Sequence, residues 1–563
     1  MTQSRADFSV SGQSSCLRLF LQFVVLALLA VQISARAAGA STTTPARPKL
    51  IVLLVIDGLP QRQLLAYRDQ LAPDGFARFL DRGAWFANAH HGHAYTVTAP
   101  GHAALLTGAY PERTGIIGNG WLDAATGEAT YCTADAAASY IGYKTNPLDG
   151  TSPKNLKAET LGDVLRRADG RSKVVAISAK DRGAILPAGQ NGTAYIYMSA
   201  SGQFASSTYY MQQHPAWVNA FNAQKGADRY FRAEWKALLP EAAYARSVPD
   251  NQPWFGPAGG GLPTLFGSPA DDEPGPRFYA SLLRSPFVDA LSLDFARAAI
   301  SAEHLGQDDS PDILVVSLSG HDYVNHSYSA ESRLSHDHLL QIDRQLESFF
   351  SDLDARIGPN NYLAVLTSDH GFMPNPEHSA QLGLEAGRII SSQVAARLSA
   401  GLQARFGEGR WTLGYSGSSV LFNKALAAQR GVDLSALADE TRQLLLAEPG
   451  FAAAYTRRDF ETGNRAAEPL FVAMRRAWHP HISGDVQYSL KPGWMFGSGP
   501  ATHGSPHPYD TQVPILMYGP QWVTPGRIDA AVAVVDIAPT LAKLLGVAAP
   551  AMSQGRLLPM PGP

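Results

Sequence analysis

Four short apolar runs constrain the fold of this chain more than any other feature. Leu50 to Ile56 ends in Asp57-Gly58, and Ser172 to Ser178 leads into Ala179-Lys180-Asp181-Arg182. Asp312 to Leu318 leads into Ser319-Gly320-His321-Asp322, and Tyr362 to Ser368 ends in Asp369-His370-Gly371. An apolar run without polar alternation suits a strand buried on both faces, the condition met where helices cover both sides of a parallel sheet. The expected fold is therefore α/β, a mostly parallel sheet sandwiched by helices. Ligands of such sheets bind beyond the carboxyl ends of the strands, so the residues that close each run are the candidates for function.

The segment Thr96 to Gly108 places one hydroxyl, Thr98, at the mouth of a short apolar helix. Unpaired N–H groups and the positive dipole end favour an anion there, which makes Thr98 a candidate nucleophile. Taken alone it reads equally as an N-cap, and Asp57 reads as a cap of the next helix. Asn119, after the turn Tyr110 to Gly118, offers a neutral donor but is by itself a turn residue. If the chain stays extended after Ser178, Lys180 and Arg182 point to one side and Asp181 to the other. Asp322 and His326, four apart, share one helical face at metal-ligand spacing. Asp369 and His370 can share a site only where the strand has ended, and Gly371 permits that bend.

Other histidines are less informative. His91 and His93 have no acidic neighbour and read as polar surface or supporting residues. His336 and His338 stand at the polar start of a helix whose buried face is Leu339, Ile342, Leu346, Phe349, Phe350 and Leu353. His503 and His507 lie in one turn and compete for a role.

Residues 1–37 combine Arg5 and Arg18 with the apolar run Leu19 to Val31 and small residues near Ala35-Arg36-Ala37, the pattern of a cleaved signal peptide. The expected location is periplasmic or secreted, with no stable membrane anchor. The remainder, 38–563, reads as one catalytic domain, with a Tyr-, Ser-, Gly- and Pro-rich cap-like insertion at about 187–300. A net charge of -3 without basic runs argues against nucleic acid as a partner. With Cys16 removed, Cys132 has no disulfide partner in the chain.

Taken in order, Asp57, Thr98, Asn119, Lys180, Arg182, Asp322, His326, Asp369, His370 and His503 resemble the pattern of the alkaline phosphatase superfamily. The segments Thr98-Ala99-Pro100-Gly101-His102, Lys180-Asp181-Arg182, Asp322 to His326, Ser368 to Gly371 and Thr502 to Pro506 carry the resemblance. It is nearest to the Thr-nucleophile, phosphate-irrepressible bacterial alkaline phosphatases. The resemblance implies an alkaline-phosphatase-like fold and two Zn²⁺ ions. One would be held by Asp322, His326 and His503, the other by Asp57, Asp369, His370 and the Thr98 oxygen. It further implies hydrolysis of small phosphate monoesters by a monomer through a phosphothreonine, with Asn119, Lys180, Arg182 and the Ala99 N–H holding the phosphoryl group. Ala99 stands where the family more usually has Gly.

Charge supports the monoester. Three Asp carboxylates and an ionised Thr98 balance two Zn²⁺, which leaves Lys180 and Arg182 for the substrate dianion. Two other readings stay open: a phosphodiesterase or nucleotide pyrophosphatase on the same two-metal site, expected to lack the Lys/Arg pair, and a non-catalytic exported zinc- or phosphate-binding protein. The absence of a Cys-x-Pro-x-Arg segment argues against a sulfatase.

Overall fold

A computed structural model describes residues 1–3, 6–7, 47–124, 126–256 and 260–560. The signal peptide expected at 1–37 falls almost wholly outside the described residues. The fold belongs to the unit that runs from Arg47 onward.

Nine strands form the central sheet: β1 (Leu50–Ile56), β2 (Ala84–His90), β3 (Val174–Ser178), β4 (Thr193–Met198), β5 (Gln203–Ala205), β6 (Asp312–Leu318), β7 (Tyr362–Thr367), β8 (Ile515–Tyr518) and β9 (Gly526–Ala533). Their order is β9-β2-β8-β7-β1-β6-β3-β4-β5. Only β5 and β8 run against their neighbours. The mostly parallel sheet read from the apolar runs is the one observed.

Burial on both faces explains those runs. Leu50, Val52, Leu54 and Ile56 of β1 pack with Phe295, Leu346 and Phe350 on one face, from helices Pro286–Ala302 and Arg333–Arg356. Ile51, Leu53 and Val55 pack with Leu105, Ile185 and Leu541 on the other, from helices Thr98–Thr107, Asp181–Ala188 and Ile537–Leu545. Each such side chain contributes about 1.5–3 kcal/mol on leaving water, so a polar residue anywhere in β1 would cost one face of the core. The parallel register sets Ile56 level with Leu318 and Val55 level with Thr367. The chain therefore leaves β1, β6 and β7 at one height, and Asp57, Asp322 and Asp369 emerge together.

The span 187–300 is more than a cap. It supplies β4 and β5 to the sheet edge and Pro286–Ala302 to the sheet face, so only the stretch between them stands outside these layers. Its first strand is hard to read from sequence because Tyr195 and Tyr197 face an aromatic core while Ala194 and Ile196 face the other side. Tyr195, Trp217 and Phe221 each lie within 5.5 Å of Phe295, ring centre to ring centre.

A second, antiparallel sheet joins Thr412–Ser416, Ser419–Phe422, Val486–Leu490 and Phe451–Thr456, with a separate core of Leu398, Trp411, Leu437 and Tyr488. Among the described residues no helix is long and apolar enough to cross a membrane.

Candidate active site

Thr98 is the first residue of its helix, not the residue before it. Val97 holds the cap position and no side chain caps the end, so the Thr98 hydroxyl has no capping role. It is 1% exposed, and its Oγ1 lies 3.5 Å from His370 Nε2. The Ala99 N–H donates to Asn119 Oδ1 at 2.8 Å, which orients the Asn119 amide beside the helix mouth and leaves its NH₂ as the donor to a ligand. The helix can approach β7 only because residue 101 is Gly: a Cβ there would stand 2.1 Å from the Asp369 carbonyl oxygen.

Asp57 leaves β1 without capping the following helix. It is fully buried, with Oδ1 3.5 Å from His370 Nε2 and Oδ2 2.8 Å from Lys180 Nζ. Asp369 gives one oxygen to the Gly58 N–H (3.1 Å) and turns the other toward His370 Nε2 (3.4 Å). Gly371 serves differently from expectation. It does not adopt a left-handed backbone; instead a Cβ there would meet the Tyr509 carbonyl oxygen at 2.2 Å. Asp322 and His326 stand on the helix Gly320–Tyr328, with His326 Nε2 and His503 Nε2 each 3.5 Å from Asp322 Oδ1. His507 points elsewhere, to the Leu490 carbonyl (2.8 Å).

These groups suit a metal. His326, His370 and His503 each donate Nδ1–H to a backbone carbonyl, of Ala501 (3.2 Å), Gly371 (2.9 Å) and Thr96 (2.9 Å). That leaves every Nε2 as a lone pair aimed into the cluster. Burial holds His370 and His503 below the usual imidazole range, so they are neutral, the form that ligates. Asp57 Oδ1 and Asp322 Oδ1 are buried and accept no hydrogen bond among the described residues. Burial, and after it the Asp369 carboxylate, holds Asp57 well above the usual carboxyl range against the pull of Lys180. Burial also opposes ionisation of Asp322 and Asp369. Lys180, His326 and His503 outweigh it at Asp322, as His370 and His102 do at Asp369, and both carboxyls are held low. Three buried carboxyl groups face one buried ammonium; without a cation Asp57 keeps its proton, and divalent cations would supply the charge needed to ionise all three. The residues fit a metal centre by donor type, tautomer and charge. Ligand atoms of Asp322, His370 and His503 lie within 4.8 Å of one another, as do those of Asp57, His102 and Asp369. His102 is not a free donor, because Nδ1 donates to the Thr98 carbonyl (2.9 Å) and Nε2 meets Ser317 Oγ (2.8 Å).

The two cations are placed differently from the extended-chain expectation, because a helix begins at Asp181. Lys180 occupies the position before that helix without a side-chain cap and sends Nζ between Asp57 and Asp322, 2.5 Å from Asp322 Oδ2, over the Tyr323 ring at 5.0 Å. Arg182 lies one position inside the helix, where its Nη1 donates to the Tyr131 hydroxyl (3.1 Å). His91 and His93 are buried, 4% and 0% exposed, and not surface: His91 Nε2 holds the Ser368 carbonyl (3.0 Å) just before Asp369. His336 and His338 are also buried, His336 stacked on Tyr67 and His338 beside Asp289. Reading along the chain misses His102, Tyr131 and Tyr323, although His102 lies one helical turn from Thr98, a spacing that could have found it.

The family model for type I phosphodiesterase / nucleotide pyrophosphatase matches residues 51–510. The chain is 35% identical to alkaline phosphatase PhoV of Synechococcus elongatus over 92% of this chain and 93% of that one. It is 32% identical to alkaline phosphatase PafA of Elizabethkingia meningoseptica, over 94% and 97%. The crystal structure of wild-type PafA superposes with a TM-score of 0.85 at 31% identity, covering 92% of this chain and 99% of PafA. With a matched fold, matched length and a buried Asp/His/Thr cluster at the carboxyl end of the sheet, this chain belongs to the type I phosphodiesterase / nucleotide pyrophosphatase family of the alkaline phosphatase superfamily.

Proposed function

We propose that this phosphatase hydrolyses phosphate monoesters in two displacements, with Thr98 as the nucleophile. Thr98 Oγ1 forms a bond to phosphorus as the ester P–O bond breaks and the departing alcohol takes up a proton. Water then attacks the phosphothreonine, the Thr98 O–P bond breaks, and phosphate leaves as Thr98 regains its proton. Asp322, His326 and His503 would hold one Zn²⁺, and Asp57, Asp369 and His370 with the Thr98 oxygen a second. Bound there, the two ions would supply the positive charge that lowers the pKa of the hydroxyl and stabilises the attacking and leaving oxygens.

The remaining roles belong to the chain itself. Asn119, braced by the Ala99 N–H, presents an amide donor to one phosphoryl oxygen. Arg182 offers its guanidinium fork and Lys180 a point charge to the dianion. His102 ties the Thr98 helix to β6 through Ser317. Export to the periplasm, action as a monomer and the choice of zinc over other divalent ions are parts of the same reading.

One observation carries it: a buried threonine hydroxyl, free of any capping role, lies 3.5 Å from a histidine nitrogen in a cluster rich in open carboxylate oxygens. The test is to quench the zinc-loaded enzyme with a monoester at low pH and map phosphate by mass spectrometry. The reading expects label on the Thr98 peptide and none in Thr98→Ala. A burst of released alcohol with an unlabelled Thr98 peptide would exclude Thr98 as the nucleophile.

A further inference from the structure

The two cations of the site are anchored in different ways, and the difference singles out Tyr131. Lys180 is fixed by two carboxylates of the metal cluster. Arg182 has no such partner: the nearest carboxylate, its neighbour Asp181, is 4.0 Å from Nη1, and its Nε is buried with no acceptor among the described residues. Among the described residues, the side chain outside its own helix that holds it is Tyr131, whose hydroxyl accepts from Nη1 at 3.1 Å and donates to Asp181 Oδ1 at 2.6 Å. Asp181 is fixed in turn by the Gly150 N–H on its other oxygen (3.2 Å).

Tyr131 also belongs to the element that carries Asn119. The strands Gly120–Leu122 and Ala129–Tyr131 form an antiparallel hairpin in which Gly120 faces Tyr131, and the Cys132 N–H donates to the Asn119 carbonyl at 3.1 Å. One end of this hairpin therefore presents the Asn119 amide to the Thr98 helix and the Tyr131 hydroxyl to Arg182. Trp121 and Cys132 anchor it in a small core with Ala99 and Ile117. Burial and the nearby Asp181 carboxylate keep the Tyr131 phenol protonated, so the hydroxyl can accept and donate at once. Burial pushes the thiol of Cys132 up to about 12.

We propose that Tyr131 is the positioning residue for Arg182, and that the Gly120–Tyr131 hairpin sets Asn119 and Arg182 at a fixed separation matched to a phosphate monoester dianion. This rests on the phosphomonoesterase reading above. An arginine held at one Nη keeps the other for substrate, and losing the brace frees a long side chain that must be ordered again in each turnover. The expected signature is a selective loss. A diester, which presents one phosphoryl charge fewer, draws less on Arg182.

The test is Tyr131→Phe, which keeps the ring and removes only the oxygen, assayed on the zinc-loaded full chain with matched aryl monoester and diester. By the usual worth of a hydrogen bond to a charged group, kcat/KM for the monoester falls about ten- to hundredfold, and the diester changes by less than about twofold. In an Arg182→Ala background the same substitution has almost no further effect, because a positioning residue has nothing left to position. Phosphate affinity measured by calorimetry falls in parallel, a readout independent of turnover and of folding differences checked by Tm. Equal losses on both esters, or full additivity with Arg182→Ala, would overturn the proposal while leaving the phosphatase reading intact. Failure of the parent enzyme to prefer monoesters would instead remove the reading on which the proposal stands.

Discussion

Strand β6 has a buried carboxylate at each end, and the two ends use it in opposite ways. Asp312, at the amino end, gives Oδ1 to the Lys173 N–H (2.7 Å) and Oδ2 to the Gly306 N–H (2.9 Å). Asp322, just past the carboxyl end, keeps Oδ1 free of any hydrogen bond among the described residues and shares Oδ2 with Lys180. Asp57 and Asp369 crowd into the same space. A buried carboxylate that caps backbone donors closes a loop. One left open beside another carboxylate, as Asp57 is beside Asp369, is costly to ionise in the folded chain, and persists because something else is to be bound. Substitutions at the two ends should therefore separate stability from activity.

The largest effect is expected at the open end. Thr98→Ala should lower kcat by about 10³-fold or more, as loss of a nucleophile does, while bound zinc measured by atomic emission stays unchanged. If zinc left with the hydroxyl, Thr98 would be acting mainly as a ligand. Next comes the Lys180→Ala/Arg182→Ala double variant. It should lose about 10²- to 10⁴-fold in kcat/KM on monoesters and far less on diesters, from charged hydrogen bonds worth about 1.5–3 kcal/mol each. An equal loss on both would mean that the pair supports the fold or merely positions substrate.

At the closed end the readout is stability against pH. Burial, against the pull of its two backbone donors, raises the Asp312 carboxyl to about 6 from 3.8. Between those values the folded chain binds the proton more tightly than the unfolded one. The contribution of this group is thus fully present below about pH 4 and is lost as pH rises through 6, roughly 3 kcal/mol at most. Asp312→Asn should flatten that part of the curve in denaturant titrations and leave kcat/KM near normal. A slope that persists would mean another carboxyl is responsible.

The smallest effect sharpens the contrast most. In chelated protein, Asp57→Asn removes a carboxyl that folding must hold protonated and should raise stability by about 0.5–2 kcal/mol, while in zinc-loaded protein it should lower it. A destabilised chelated variant would show that Asp57 is paired well enough by Lys180 alone.

The parts legible in the sequence are those where one physical cause writes a local pattern. Burial on both faces makes β1, β3, β6 and β7 continuous apolar runs, and their level carboxyl ends bring Asp57, Asp322 and Asp369 together. The i, i+4 pair Asp322 and His326 needs only one helical turn. Long-range pairing hides the rest. Tyr131 meets Arg182 through a hairpin and a helix start 51 residues apart, and neither segment alone contains that contact. β4 hides because tyrosines make up one of its faces. His91 and His93 look polar in a row of histidines, yet the chain running from β2 into the Thr98 segment buries them behind Ser368.

The measurement that bears most directly on the account is kcat/KM for a matched aryl phosphate monoester and diester on the zinc-loaded protein, beside a chelated sample restored with zinc. The account predicts a strong monoester preference that disappears on chelation and returns with the metal. A diester preference, or monoester turnover indifferent to chelation, would contradict it.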